Sequence, residues 1–83
     1  MARKIRWSDE ARADIRALDR PTAMRIFNGL YRFVLSGQGD VKTLSGKFAG
    51  QLRLRLGDYR VIFTAAGEIL HVLQVKHRSE AYR

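Results

Sequence analysis

The segment Gln51-Leu52-Arg53-Leu54-Arg55-Leu56 alternates apolar and cationic side chains without a break, and Gly57-Asp58 follows it directly. A period of two marks a strand with one buried face, and a Gly-Asp pair suits a tight reversal. Tyr59 to Thr64, rich in β-branched and aromatic residues, then reads as the returning strand. A two-residue loop sets the register: Leu56 opposes Tyr59, Arg55 opposes Arg60, Leu54 opposes Val61 and Arg53 opposes Ile62. Leu52, Leu54, Leu56, Val61 and Phe63 share one face, and Arg53, Arg55 and Arg60 share the other. Directly opposed like charges weaken a strand pair, so the sheet gives up stability at Arg55 and Arg60 that a bound anion would offset. A solvated strand face is the plainer reading of the same arginines.

The rest of the chain supplies a lid for the apolar face. Met1 to Trp7 reads as a short strand, with Ile5 and Trp7 on one side. Ser8 is a good N-cap with Asp9 and Glu10 behind it, and Ala11, Ile15 and Leu18 recur at helical spacing, so a first helix is expected over Ser8 to Leu18. Asp19-Arg20-Pro21 stops it and starts a second, which carries Met24, Phe27, Leu30, Tyr31 and Val34 on one stripe and ends at Gly37. Gly37 to Gly50, with four glycines, reads as a loop around Val41 and Leu44. Ala66-Gly67 is the second turn, before a strand from Glu68 to Val75. The expected fold is α+β, with two N-terminal helices on one face of a mainly antiparallel sheet of about four strands, in the order β-α-α-β-β-β.

The chain has 83 residues, with 16 Lys plus Arg against 8 Asp plus Glu and a formal net charge of +8. This is a single domain over residues 1–83, too small for a deep enclosed ligand pocket. Twelve of the cations are arginine, whose planar fork grips phosphate at two points. Residues 1–41 carry a net +3 (8 basic, 5 acidic) and residues 42–83 a net +5 (8 basic, 3 acidic), so more of the excess lies in the sheet half. Such charge favours a polyanionic partner. Arg12, Arg16 and Arg20 form a helical stripe that reads as a wet face. With no cysteine there is no disulfide, thiolate zinc site or thiol nucleophile. Asp58, Glu68 and Glu80 are too isolated for a magnesium cluster, so neither a metal nor another cofactor is expected. No stretch approaches the ~20 apolar residues of a membrane span and no secretory leader is visible, so a cytoplasmic protein without a membrane partner is expected.

The second turn extends the cationic face. With a two- or four-residue loop, Thr64 opposes Ile69, Ile62 opposes His71 and Arg60 opposes Leu73. His71 then shares the arginine face, and His77 follows by parity; a three-residue loop reverses both. A half-buried structural role is the alternative for His71.

The order of elements, the run from Leu52 to Phe63, the loop Lys42-Thr43-Leu44-Ser45-Gly46 and the ending Val75-Lys76-His77-Arg78-Ser79-Glu80-Ala81-Tyr82 together resemble the RelE branch of the RelE/ParE toxin superfamily. The similarity covers nearly the whole chain. It implies the toxin of a type II toxin–antitoxin pair, an endoribonuclease that enters the ribosomal A site and cleaves mRNA there without a metal. It also implies a cognate antitoxin that covers or displaces the cationic site in an oligomeric complex. Carried over by position, Arg53 and Arg55 match the family's basic strand residues, Arg60 its central arginine and Tyr82 its C-terminal tyrosine. Lys76 stands where the RelE type has another catalytic arginine. Parity favours His77 for the arginine face and alignment favours Lys76, so both remain candidates, with Arg78 as a phosphate-binding residue. On this reading Arg55 and Arg60 hold the scissile phosphate, while Tyr82 or His77 handles one proton; stacking a base is a competing role for Tyr82. A ParE-like gyrase inhibitor and a non-catalytic RNA- or ribosome-binding module are the other two functions the residues allow.

Overall fold

The computed structural model describes residues 4–81. Its elements are strand β1 (Lys4–Trp7), helices α1 (Asp9–Arg16) and α2 (Arg20–Ser36), strand β2 (Asp40–Thr43), a 3-10 turn (Gly46–Phe48), and strands β3 (Leu52–Leu56), β4 (Tyr59–Ala66) and β5 (Ile69–His77). The five strands form one sheet in the order β1-β5-β4-β3-β2, antiparallel except where β1 runs beside β5. The fold is the expected one with an added edge strand.

Local chemistry sets the helix ends. The Ser8 hydroxyl accepts from the Ala11 N–H, and the Asp19 carboxylate accepts from the Thr22 N–H. A bond from the Thr22 hydroxyl, with that one from its N–H, holds the Asp19 carboxyl below its ordinary range. Gly37 closes α2 in the left-handed region, at φ 73°, and its N–H donates to the Phe33 carbonyl. Ser8 does more than cap. Its hydroxyl also donates to the Leu73 carbonyl at 2.7 Å and its N–H to the Val72 carbonyl, so the start of α1 is pinned to β5 where β1 ends. Ser8→Ala removes both roles of the hydroxyl and is expected to cost about 1–2 kcal/mol, read as a lowered urea midpoint at unchanged slope.

Ala11, Ile26 and Leu30 of the helices meet Leu54, Val61, Phe63, Leu70, Val72 and Val75 of the sheet in the core. Phe33 packs edge-on against Phe63 at 5.7 Å between ring centroids, and Trp7 against Phe27 at 5.4 Å. All of this lies on one side of the sheet. The other side is open, and it carries the charge.

Three sequence expectations need correction. The stretch expected to be loop contains β2, whose Asp40 opposes Arg55 and whose Lys42 opposes Arg53. Four exposed residues with one apolar side chain carry no strand signal of their own; pairing with the edge of β3 makes them a strand. The second reversal is made by Gly67-Glu68, with Ala66 opposing Ile69, so Thr64 and not Ile62 faces His71. β5 also runs on to His77, past the expected end at Val75, and its pairing with β4 slips by one residue. Phe63 opposes Val72 but Ile62 opposes Gln74, leaving Leu73 as the extra residue of a bulge.

A cationic row across the open sheet face

The hairpin register is as the alternation dictates: Arg55 opposes Arg60 and Arg53 opposes Ile62. Beyond the bulge Arg60 opposes Lys76. Residues opposed in register share a face, so Asp40, Arg55, Arg60 and Lys76 form one row across β2, β3, β4 and β5. The row beside it is Lys42, Arg53, Ile62 and Gln74. Ile62 is buried on this open face, outside the core cluster.

The bulge sets which of Lys76 and His77 shares the arginine face. Leu70 and Val72 point to the core, and after the extra residue Val75 does so too, so parity inverts along β5. Lys76 therefore joins the arginines. His77 turns to the helix side opposite Tyr59, with the two rings edge to face at 5.4 Å. The parity that favoured His77 for the arginine face does not survive the bulge. His71 does lie on the arginine face, exposed and opposite Arg6 and Thr64. It is four residues along from the Arg60 position, roughly 13 Å at ~3.3 Å per residue, not diagonal to it. Tyr82 lies outside the described residues.

Each cation is held differently. Arg60 Nη1 donates to the Gly57 carbonyl at 2.9 Å and the Tyr59 carbonyl at 3.1 Å, which anchors the guanidinium at the β3–β4 turn and leaves its other nitrogens without a partner among the described residues. Arg55 is exposed and makes no hydrogen bond or ion pair with any described residue. Arg53, with its side chain only 15% exposed, gives Nη2 to Asp40 at 2.9 Å, while its Nε is buried without a hydrogen-bond partner. Arg78 lies apart from the row, its side chain exposed and its Nε 3.9 Å from Asp58.

Lys76 is the most constrained, and sequence reasoning did not identify what constrains it. Its ammonium lies 2.8 Å from Asp14 and 3.2 Å from Glu10, both on α1. The Asp14 carboxylate, 14% exposed, also accepts from the Val75 N–H at 2.9 Å. One side chain thus ties down the backbone just past the bulge and the cation that follows it. The spacing of Glu10 and Asp14 at i, i+4 was the available signal. The bond from Asp14, supported by Glu10 and opposed by partial burial, raises the Lys76 pKa above its ordinary value. The stabilisation linked to that shift is complete below the ordinary lysine value near ~10.4 and is lost as pH rises through the raised one. At neutral pH Lys76 is a standing positive charge and not a proton acceptor.

A sheet face with two adjacent guanidinium groups, neither in an ion pair with a described residue, beside a lysine whose charge Asp14 and Glu10 offset, suits an oxyanion whose charge is spread over several oxygens. Among the described residues no three His, Asp or Glu side chains gather as a cation site, and no helix is long and apolar enough to cross a membrane.

Residues 5–82 match the family model for the ParE toxin of the type II toxin–antitoxin system parDE. The chain is a member of the RelE/ParE toxin superfamily. Solved structures agree with this toxin's fold. It resembles a chain of the toxin–antitoxin complex RelBE2 from Mycobacterium tuberculosis, with 22% identity and a TM-score of 0.81, over 94% of this chain and 100% of that one. The archaeal RelE–RelB complex from Pyrococcus horikoshii OT3 gives 24% identity and a TM-score of 0.72, over 98% and 100%. The YoeB/ParE toxin from Agrobacterium tumefaciens gives 19% and 0.74, over 90% and 98%. No curated protein sequence matches the toxin. The family model carries the ParE name while solved relatives of this toxin carry the names RelE and YoeB, so membership does not by itself choose an activity.

Proposed function

We propose that this toxin is a ribosome-dependent endoribonuclease that cleaves mRNA in the A site with no metal. The observation that carries the reading is the row Arg55, Arg60, Lys76 across three adjacent strands, with the two arginines opposed on the open sheet face and the Lys76 ammonium held against α1 at its β5 end. RNA cleavage of this kind needs the 2′-hydroxyl deprotonated as its oxygen attacks the neighbouring phosphorus. The charge that builds on the nonbridging oxygens must be stabilised, and the departing 5′-oxygen must receive a proton. Arg55 and Arg60 hold the scissile phosphate. Lys76, fixed by Asp14 and Glu10, which offset much of its charge, offers its remaining N–H capacity to a phosphate oxygen on the β5 side. Pre-positioned cations of this sort are worth about 3–4 kcal/mol each where charge develops. Arg53 and Arg78 extend the contact to neighbouring phosphates. Lys76 does not serve as the base, and proton transfer is assigned to Tyr82 or to groups of the ribosome.

The partners proposed are mRNA and ribosomal RNA in the cytoplasm, and a cognate antitoxin in an oligomeric complex. Several solved relatives are themselves toxin–antitoxin complexes. Met24, Tyr31 and Leu35 leave an exposed apolar stripe along α2, and an acidic amphipathic antitoxin segment suits both that stripe and the surrounding charge.

The name of the family model favours a second reading, inhibition of gyrase. A cell-free translation reaction with primer extension on the message separates the readings. Cuts that require ribosomes are expected. Blocked translation with intact message indicates a non-catalytic ribosome binder, and accumulation of cleaved DNA with gyrase indicates the second reading; either result overturns the proposal.

A further inference from the structure

His77 has the chemistry of a proton-transfer residue, yet the structure gives its imidazole a different task. The backbone N–H of Ser79 points at His77 Nδ1 at 3.2 Å, and the Ser79 hydroxyl lies 2.9 Å from the same nitrogen. A backbone N–H can only donate, so in this contact Nδ1 presents its one lone pair; in the neutral ring the proton is then on Nε2, and the Ser79 hydroxyl shares the same lone pair as a second donor. The carbonyl of His77 accepts from the Glu80 N–H at 2.8 Å and the Ala81 N–H at 3.1 Å. A side-chain acceptor on the second following N–H, with the carbonyl on the third and fourth, is the bonding pattern of a helix N-cap. The edge-on contact with Tyr59 sets the plane of the ring. The Arg78 N–H donates to the Asp58 carbonyl at 2.7 Å, fastening the same turn to the β3–β4 reversal.

We propose that His77 is a positioning residue, whose bare Nδ1 caps the turn over residues 78–81 and so orients Arg78 and the backbone through Ala81. Its activity readout rests on the endoribonuclease reading; its structural readout does not. Asparagine places an acceptor oxygen one bond beyond Cγ, where Nδ1 sits, whereas glutamine places its oxygen nearer to Nε2. The pair therefore separates a cap from a proton shuttle.

The test compares His77→Asn, His77→Gln and His77→Ala by hydrogen exchange at the Ser79 and Glu80 amides and by message cleavage on ribosomes. His77→Asn is expected to keep both near the wild-type level. His77→Gln and His77→Ala are expected to raise exchange at these two amides by about five- to tenfold, the loss of one cap, and to lower cleavage by a similar factor. If His77→Asn exchanges like His77→Ala, or if His77→Gln alone retains cleavage, the proposal is overturned. Should the wild-type toxin cut no message, the endoribonuclease reading fails and the exchange arm alone decides the role of His77.

Discussion

Replacing Arg60 with alanine is expected to lower ribosome-dependent message cleavage by about 10²-fold or more, with the protein still folded. Arg60 sits at the centre of the row, with Arg55 on one side and Lys76 on the other. Its guanidinium is held by two carbonyls of the adjacent turn, so it is arranged before substrate arrives. Removing one pre-positioned donor from a site where charge develops typically costs 10² to 10³ in rate. The folded state should not suffer, because the substitution also relieves the repulsion between Arg55 and Arg60. Arg60→Lys should recover only part of the loss, since a point charge replaces a planar fork. Primer extension on a defined message gives the rate and circular dichroism gives the fold. Arg12→Ala, on the helical face, is the matched loss of one charge and should leave cleavage unchanged. Equal losses from Arg12→Ala and Arg60→Ala would reduce the row to part of a diffuse basic surface.

Phe63→Ala is expected to remove a large share of the stability of the domain. Phe63 is 2% exposed, lies at the middle of β4 and meets Phe33 of α2 ring to ring. Truncating a buried phenylalanine costs about 3–5 kcal/mol, the loss of burial plus the cavity left behind. An 83-residue domain has roughly 4–12 kcal/mol in total at ~0.05–0.15 kcal/mol per residue. Each kcal/mol moves Tm by about 4–8 °C in a domain this small, so a fall of more than ~12 °C is expected in a thermal scan. A smaller fall would mean that the helices reclose over the gap, and that contact between α2 and the sheet centre is looser than the ring packing indicates.

The parts of this molecule that depend on near neighbours in the chain were legible from the sequence. Gly57-Asp58 admits one tight reversal, and the alternation on either side leaves one register, so the unfavourable Arg55–Arg60 pairing could be stated from the residues alone. Ser8, Asp19 and Gly37 mark helix ends because capping is a matter of one side chain and the next few amides. The family resemblance rests on the same hairpin and on the order of elements, and the family model spans residues 5–82.

What the sequence could not show was set by groups that meet across long separations. β2 is a strand because β3 offers it an unpaired edge. On β5, Ser8 at the cap of α1 and Asp14 within it take up the Leu73 carbonyl and the Val75 N–H at and just past the bulge, about sixty residues away in the chain. Leu73 is thereby accommodated as an extra residue, and every side chain after it changes face. Strand parity read from the sequence assumes an unbroken ladder, so it assigned His77 to the arginines, and the tertiary structure assigns Lys76. The sequence by itself determined that two arginines must face each other across a hairpin. Only the packing of α1 against the edge of β5 decided which cation stands third in their row, because a bulge is stable only where another element satisfies the backbone groups it leaves unpaired.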